Sequence, residues 1–214
     1  MEICNLALGN IRAGSINSLD ESSVQAQTCK LRYPLMRDML LQTGTWQFAR
    51  SIKPLALLTD EIFNWGYAYQ YPSDCMKIHR LVGEQEEITL IDTSFTRSYR
   101  EDLYVTPGEL RVQIPYEILN IDGNKVIGSN DTDLRIDYAV EATDTNLFSP
   151  TFIIALSHLL AAEIAIPIVG SEAGRSLRND SYTLYQQYLA SAEAQDANEQ
   201  YATQENSEYV NARR

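Results

Sequence analysis

The segment SPTFIIALSHLLAAEIAIPIVG, residues 149–170, is mostly apolar and decides how the remaining chain must pack. Ser149 is a residue type that caps helices, and Pro150 suits the first helical position because its missing N–H would have no partner there. Pro167 and Gly170 are residues that end helices. The segment therefore predicts one long helix that begins after Ser149 and is stopped by Pro167 and Gly170.

The same segment is nearly long enough to cross a bilayer. His158, Glu163 and Pro167 argue against a membrane span, because an ionised group at the bilayer centre costs about 3 kcal/mol. A helix that is apolar on every side is otherwise found in the core of a globular domain. We therefore predict a buried core helix and no membrane insertion.

Helical patterns also flank this segment in the chain. Ser18 lies three residues before Glu21, which is the spacing of a capping box, and Gly44 marks the end of that pattern. Pro34 predicts a kink within the helix. One face of it, which we expect to be buried, consists of Val24, Thr28, Leu31, Leu35 and Met39.

A third long helix is predicted over residues 172–197, and a short one over residues 3–8. The apolar side of the third helix consists of Leu177, Leu184, Tyr185, Tyr188, Leu189 and Ala192. The chain after it has little apolar content and no periodicity, which predicts a mobile tail over 198–214.

Between residues 46 and 140 the apolar period changes to two. Leucine, isoleucine, tyrosine and valine alternate with other residues over 134–140, as in a half-buried strand. The segment EILNIDGNKVIG, residues 117–128, predicts a hairpin that turns at Asp122-Gly123-Asn124. Further strands are predicted over 74–82 and 110–114.

Helical segments at both ends of the chain must pack together to bury their apolar faces. The predicted fold class is therefore mainly α: a helical bundle with a small inserted antiparallel β-region and an extended C-terminal arm. We assign residues 1–45 and 149–197 to the helical body, 46–148 to the inserted β-rich region and 198–214 to the arm.

Composition limits the partners and the compartment. The 214 residues carry a formal net charge of −12, with a sequence pI of about 4.6. Such a surface repels phosphate, so tight DNA binding is disfavoured. Cys4, Cys29 and Cys75 form no C-x-x-C pair and follow no secretory signal, so we interpret them as free thiols in a reducing cytoplasm.

Asp74, Cys75 and His79 are residue types that a hydrolase or a metal centre uses. On a strand, Cys75 and His79 would share a face but lie about 13 Å apart, too far for the imidazole to activate the thiol. His158 stands alone in the apolar helix, and no metal-ligand spacing occurs in the chain. We predict no catalytic residue, no metal and no cofactor.

Aromatic residues are concentrated at the start of the β-rich region. Tyr67, Tyr69 and Tyr71 share one face of an extended segment. Such residues either cover the small sheet or anchor a protein interface, where Tyr and Trp are enriched. The candidate residues for a subunit or tail interface are Trp46, Phe48, Trp65, Tyr67 and Tyr69.

An ordered set of motifs resembles the head-to-tail adaptor family of tailed bacteriophages, also called tail tubular protein A in short-tailed phages. The motifs are ICNLALGNI, CKLRYPLMRDMLLQTGTWQFA, YAYQYPSDCMKIHRL and the segment from YEILNIDGNKVIG through the apolar helix. The resemblance extends from Met1 to the start of the polar tail.

The resemblance implies a non-enzymatic virion protein of the tail or neck, made in the host cytoplasm. It implies a ring of twelve copies that joins the portal protein to the tail nozzle or next tail component, while DNA passes through without specific binding. In that family the C-terminal segment is an arm that becomes ordered on the portal. The candidate arm residues here are Tyr201, Tyr209, Val210, Arg213 and Arg214.

In such a ring, an acidic lining would let DNA slide without sticking. The candidate lumen residues are Glu84, Glu86 and Glu87, with a solvated outer face as the alternative. Arg32, Arg37 and Arg50 are candidates for pairing with acidic residues, either of a neighbouring subunit or of the same chain.

Two other functions remain open from the sequence. One is a head-completion or stopper protein of a long-tailed phage, which does the same kind of work with different neighbours. The other is a Cys-dependent hydrolase that uses Cys75 and His79.

Overall fold

The computed structural model describes residues 1–59, 62, 64–83 and 114–198. The chain divides into two compact units. Unit 1 comprises Met1–Ala49 and the chain from Ala142 onward, and unit 2 comprises Arg50–Glu141. All the long helices of the described residues lie in unit 1, and all their strands lie in unit 2.

The prediction of a mainly α fold is wrong. Helices account for 50% and strands for 24% of the described residues, and the strands form two antiparallel sheets, so the fold class is α+β. Several of the strands have only two to five residues. Their two-residue period is therefore a weaker sequence signal than helical patterns that continue for twenty residues.

Unit 1 contains four α-helices and two short 3₁₀ turns in its described part. The 3₁₀ turns are Gln47–Ala49 and Thr145–Leu147. The helices are α1 (Glu2–Asn10), α2 (Val24–Thr43), α3 (Pro150–Val169) and α4 (Ser171–Asn198).

Helix α3 is the central helix of unit 1, and ten of its twenty residues are buried. Among the described helices, α3 is the one long and apolar enough to cross a membrane by length and composition, and 56% of its apolar window is buried inside unit 1. A helix that is apolar on all sides and enclosed by other helices is typical of a globular core.

The ends of α3 follow from its sequence. The Ser149 hydroxyl accepts a hydrogen bond from the Phe152 N–H at 3.3 Å, and Pro150 opens the first turn. Gly170 ends the helix with a φ of +100°, a conformation that favours glycine. Pro167 lies inside the last turn and does not stop the helix, contrary to prediction.

Helix α2 begins later than the capping-box spacing predicts. Its cap is Ser23, whose hydroxyl accepts from the Ala26 N–H at 3.3 Å. The Glu21 carboxylate does accept from the Ser18 N–H at 2.9 Å, but this contact closes a turn before the helix. The helix then continues through Pro34 to Thr43.

The predicted buried face of α2 is wrong. The side chains that α2 buries are Ala26, Cys29, Arg37, Leu40 and Leu41. Two of these, Ala26 and Cys29, join a core cluster with residues of α1 and α3. Apolar residues therefore occur on two sides of α2, and the side with the smaller residues at its N-terminal end packs inward.

Helices α3 and α4 pack closely where Gly174 meets α3. A Cβ atom at Gly174 would lie 2.9 Å from the Ala165 carbonyl oxygen, so only glycine permits this approach. Tyr185 and Ala192 are buried on α4 as predicted, whereas Leu184 of the same predicted side is 39% exposed.

Unit 2 contains two antiparallel sheets. In the first, of three strands, β7 (Leu134–Val140) lies between β1 (Arg50–Pro54) and β4 (Cys75–Gly83). The order in the second is β2 (Leu57–Leu58), β3 (Tyr67–Gln70), β6 (Asn124–Ser129) and β5 (Glu117–Ile121). The strands predicted over 74–82 and 134–140 are thus confirmed.

The predicted hairpin is also confirmed. Strands β5 and β6 pair antiparallel with Ile121 opposite Asn124. The two turn residues between them, Asp122 and Gly123, have φ values of 50° and 85°. This positive pair is what a two-residue hairpin loop needs to match the twist of its strands. Residues 110–113 of the remaining predicted strand lie outside the described residues.

Candidate functional site

Cys75 is not held in a way that activates its thiol. It begins β4, is half-buried, and interacts with the Tyr71 hydroxyl. Burial raises the pKa of the Cys75 thiol above its ordinary value. Asp74 beside it binds Lys53 Nζ at 2.9 Å and accepts a hydrogen bond from the Tyr138 hydroxyl at 3.0 Å. The Cys75 thiol is therefore protonated, and the Asp74 carboxylate beside it is already bound to Lys53 and Tyr138. Such a thiol is a poor nucleophile.

His79 lies further along β4 and is partly buried. Its Nε2 atom is enclosed and finds no hydrogen-bond partner within the described part of the chain. Burial lowers the pKa of His79, so the ring is neutral at pH 7. We assign no chemical role to this ring.

Among the described residues of unit 2, Asp137 makes ion pairs with two arginines; it was not among the residues predicted from the sequence. This carboxylate is 1% exposed in the central strand β7. Arg50 binds both of its oxygens, at 2.7 and 2.6 Å, and Arg80 Nε binds one of them at 3.0 Å. Burial favours the neutral acid, but the two guanidinium groups outweigh it and lower the pKa of Asp137. The sequence signal that could have identified Asp137 is its position inside the mostly apolar strand LRIDYAV.

Because Arg50 lies on β1 and Arg80 on β4, the Asp137 cluster joins all three strands of its sheet. Arg50 is therefore paired within the chain, which was one of the two alternatives from the sequence. Arg37 is also paired locally, with Asp38 at 2.7 Å.

His158 packs inside unit 1. Its ring stacks on Tyr188 of α4 with centroids 5.3 Å apart, and its Nδ1 lies 3.3 Å from the Asn10 amide. Within the described residues, no group of three or more His, Cys, Asp or Glu side chains is arranged to hold a metal ion.

Two of the predicted interface aromatics, Trp46 and Phe48, belong to an aromatic cluster in unit 1 with Phe148 and Phe152. Trp46 is 1% exposed, and its Nε1 donates to the Leu40 carbonyl at 2.8 Å. The same carbonyl, near the end of α2, also accepts a hydrogen bond from the Thr43 hydroxyl at 2.7 Å. Trp46 therefore leaves almost no surface for a partner.

The other three predicted interface aromatics lie in unit 2. Tyr69 is buried, with its hydroxyl donating to the Asp131 carbonyl at 2.7 Å. Trp65 is half-buried and donates to Glu117 at 2.9 Å, whereas Tyr67 is 37% exposed. Of these three, Tyr67 has the largest exposed fraction.

Several predicted residues lie outside the described part of the chain. These are the lumen candidates Glu84, Glu86 and Glu87, and the arm candidates Tyr201, Tyr209, Val210, Arg213 and Arg214.

The exposed side of α2 carries four large apolar side chains, which we call the α2 apolar row. Their exposed fractions are 59%, 66%, 54% and 45% for Val24, Leu31, Leu35 and Met39. The row runs most of the length of the helix. Its spacings of seven, four and four residues place the members on one side, as in a helix seam that packs against another helix.

The charges on α2 differ in sign from those of the chain as a whole. The helix carries Lys30, Arg32 and Arg37 against the single acidic residue Asp38. Lys30 and Arg32 flank Leu31 directly in the sequence. The α2 apolar row is thus bordered by basic residues on a chain whose net charge is −12.

Each unit has an open concavity among its described residues. The one in unit 2 is lined by residues of β2 and β3 with Trp65, and its lining has no titratable acid or base except the Tyr67 phenol. The one in unit 1, beside Trp46, includes the carboxylates Glu193 and Asp196. Asp196 already accepts a hydrogen bond from the Gln47 N–H at 2.9 Å.

The chain matches no protein-family model, and no curated protein sequence is significantly similar to it.

Proposed function

We propose that this chain is a structural virion protein: an adaptor subunit that forms a ring between the portal and the tail of a bacteriophage and extends the DNA channel. The observation that carries the proposal is the α2 apolar row, an exposed helical surface of the kind that packs against another helix.

Energy favours covering this row. The four side chains are each about half exposed, and burying the exposed part of each contributes on the order of 1 kcal/mol. Contiguous apolar surface of this kind on a soluble chain marks an interaction site. An assembly protein uses such a surface, whereas a monomer has no need to expose it.

The position of the row in the sequence supports the same proposal. Leu31, Leu35 and Met39 lie inside CKLRYPLMRDMLLQTGTWQFA, one of the segments that resemble the adaptor family. Within that segment, Cys29, Leu40 and Trp46 pack in the core of unit 1. Core packing explains those three residues but not the exposed ones, which fits a segment that also forms a contact between molecules.

The charge distribution suits a ring around DNA. In a closed ring each subunit presents one surface to a different surface of its neighbour. Lys30 and Arg37 of α2 bind Asp20 and Asp38 within the chain, so Arg32 beside Leu31 is the cation of α2 that would complement an acidic neighbour. The net charge of −12 also keeps the ring from binding the phosphate backbone of a genome in transit.

The test is the mass of the purified chain, measured by light scattering alone and after mixing with rings of the portal protein encoded in the same genome. A second protein that ends at residue 197 tests the arm. We expect the full chain to join the portal in a fixed stoichiometry and the shortened chain to fail.

If neither protein binds the portal, the adaptor proposal fails. If both bind equally well, the adaptor proposal stands but the portal contact does not lie in residues 198–214. Circular dichroism of both proteins provides the control. The four α-helices lie within residues 2–198, so the shortened protein should keep its helical signal.

A further inference from the structure

A histidine ring joins the end of α1 to α3. His158 of α3 is partly buried, and its Nδ1 lies 3.3 Å from Nδ2 of Asn10, the last residue of α1. The same amide nitrogen lies 3.5 Å from the Ser157 hydroxyl. The ring also stacks on Tyr188 of α4, with the two ring planes 4° from parallel. Tyr188 is thus the titratable side chain that faces the ring, and the Asn10 amide is uncharged.

Hydrogen-bond accounting fixes which nitrogen of His158 carries the proton. The Ser157 hydroxyl has a single proton, which it donates to the Ile154 carbonyl at 2.8 Å. Ser157 Oγ is therefore an acceptor towards Asn10, so the part of the amide that faces it is the NH2 group and not the oxygen. Because the same NH2 group lies against Nδ1 of His158, this ring nitrogen accepts a hydrogen bond. The ring is then neutral, with its proton on Nε2.

The three helices that meet at this ring carry their charges elsewhere. The charged residue of α1 is Glu2, at the opposite end from Asn10. On α3, Glu163 is turned about 140° around the helix from His158 and pairs with Arg178 at 3.9 Å. On α4, the segment 184–192 around the stacked tyrosine has no charged residue. Burial lowers the pKa of the histidine below its ordinary value of 6.5, and no charged group of the described residues contributes to that shift.

We propose that His158 is an acid-sensitive joint, whose neutral ring holds α1 against α3 and whose protonation at mildly acidic pH breaks the contact with Asn10. A protonated ring carries N–H groups at both nitrogens, so Nδ1 would become a donor that faces the amide donor. Turning the amide over would bring its oxygen to the ring but also against Ser157 Oγ, whose proton is already donated to Ile154. Protonation therefore removes at least one of these two hydrogen bonds between α1 and α3.

Two opposing effects decide the direction of the pH dependence. Stacking on the Tyr188 face favours a cationic ring. Burial favours the neutral ring and outweighs the stacking, since the pKa of His158 lies below its ordinary value of 6.5. As the pH falls through about 6.5, the unfolded chain takes up a proton before the folded chain does. The contribution of this joint to stability is therefore complete above about pH 6.5 and is lost as the pH falls through the folded pKa.

The joint lies beside the core of unit 1. Ala7, Leu8 and Ile11 of the same stretch belong to the core cluster that α1 shares with α2 and α3. Loosening of α1 in acid would therefore reach the packing beneath α2, the helix that carries the α2 apolar row. Protons from solvent reach the ring directly, because Asn10 is exposed and His158 is only partly buried.

The experiment follows the two histidines of the full chain, His79 and His158, by NMR from about pH 8 to about pH 4.5. The His79→Gln variant retains one histidine and so assigns the signals of His158. We expect the titration midpoint of His158 to lie below 6.5. Ring ¹⁵N shifts of the neutral form should show a bare Nδ1 and a protonated Nε2. Hydrogen-exchange protection of the α1 amides should fall at least about threefold between pH 7 and pH 5.

Asn10→Asp tests the contact itself. A carboxylate beside Nδ1 favours the protonated ring, so the midpoint of His158 should rise by at least about one unit. The protection of α1 should then increase in acid instead of falling. Asn179→Asp is the matched control, because it adds the same charge at an exposed position of α4, about 13 Å along the helix from Tyr188. It should leave the midpoint unchanged within about 0.3 unit.

Four results would each overturn the proposal. They are a wild-type midpoint for His158 at or above 6.5, a proton on Nδ1 of the neutral ring, unchanged protection of α1 in acid, and equal midpoints in Asn10→Asp and Asn179→Asp. The midpoint and the ring ¹⁵N shifts are read on the wild type, so they decide the question even if a variant folds poorly. No portal protein is present, so the outcome is independent of the test of the adaptor proposal.

Discussion

Arg50 and Asp137 form a two-pronged ion pair within unit 2: Nε of Arg50 lies 2.7 Å from one carboxylate oxygen of Asp137, and a terminal nitrogen lies 2.6 Å from the other. The residues are on neighbouring strands of one sheet, and Arg80 adds a third contact from the opposite side. Since Asp137 is 1% exposed, water contributes little to its solvation. The sheet therefore depends on this cluster being complete.

Replacing Asp137 with Asn should lower the free energy of unfolding by about 3–5 kcal/mol, because two partly buried guanidinium groups lose their counter-charge. Urea unfolding measures the change. Asp20→Asn is the matched control, since Asp20 also binds a cation, Lys30 at 2.6 Å, but both side chains are exposed. The control should unfold like the wild type; equal losses in both variants would contradict the assigned role of burial.

The pH dependence of stability should report the same cluster. The pKa of Asp137 in the folded chain lies below its ordinary value of 3.8, so its contribution is fully present above about pH 4 and is lost as the pH falls through the folded value. Urea midpoints measured from about pH 6 to pH 3 should fall more steeply for the wild type than for Asp137→Asn. Parallel curves would show that Asp137 does not titrate differently on unfolding.

Gly174→Ala should destabilise unit 1 although alanine is the better helix former. The new Cβ would lie 2.9 Å from the Ala165 carbonyl oxygen and 3.0 Å from Ile166 Cα, both backbone atoms that cannot move without shifting α3. We expect a loss of about 1–3 kcal/mol by thermal or urea unfolding.

Gly9→Ala is the matched control for that substitution. Gly9 lies in α1, and a Cβ there would meet nothing within 4 Å. Helix propensity alone then predicts a gain of about 0.5–1 kcal/mol. If both substitutions change stability in the same direction, the close approach of α3 and α4 is not what requires glycine at 174.

The double substitution Leu31→Glu and Leu35→Glu should leave the isolated chain as stable as the wild type, within about 0.5 kcal/mol, because both side chains are already more than half exposed. It should weaken assembly at least tenfold, since two charges would be placed in an apolar contact. Light scattering in the presence of portal rings measures the assembly.

Leu147→Glu is the control for the α2 apolar row, because Leu147 is equally exposed, at 55%, and lies in the same unit but outside that row. It should assemble like the wild type. Normal assembly of the α2 double variant would exclude the row as a contact between subunits.

The amino-acid sequence alone determined the elements whose signals are local. The cap at Ser149, the apolar run of α3 and the turn at Asp122 and Gly123 each depend on neighbours a few residues away, and each was found. The strands β4 and β7 were found for the same reason, because alternation is visible within seven to nine residues.

Tertiary structure alone decided which of two apolar sides of α2 packs inward, that Trp46 is buried beneath its aromatic neighbours, and that Asp137 binds Arg50. Arg50 and Asp137 are far apart in the chain but lie on neighbouring strands of the sheet. Their spacing in the sequence therefore does not predict that they form an ion pair. Periodicity shows that a helix has an apolar side. Whether that side is buried depends on which other elements of the fold pack against it. For that reason the sequence predicted the helix at Leu31 and Leu35, and only the fold left those side chains in solvent.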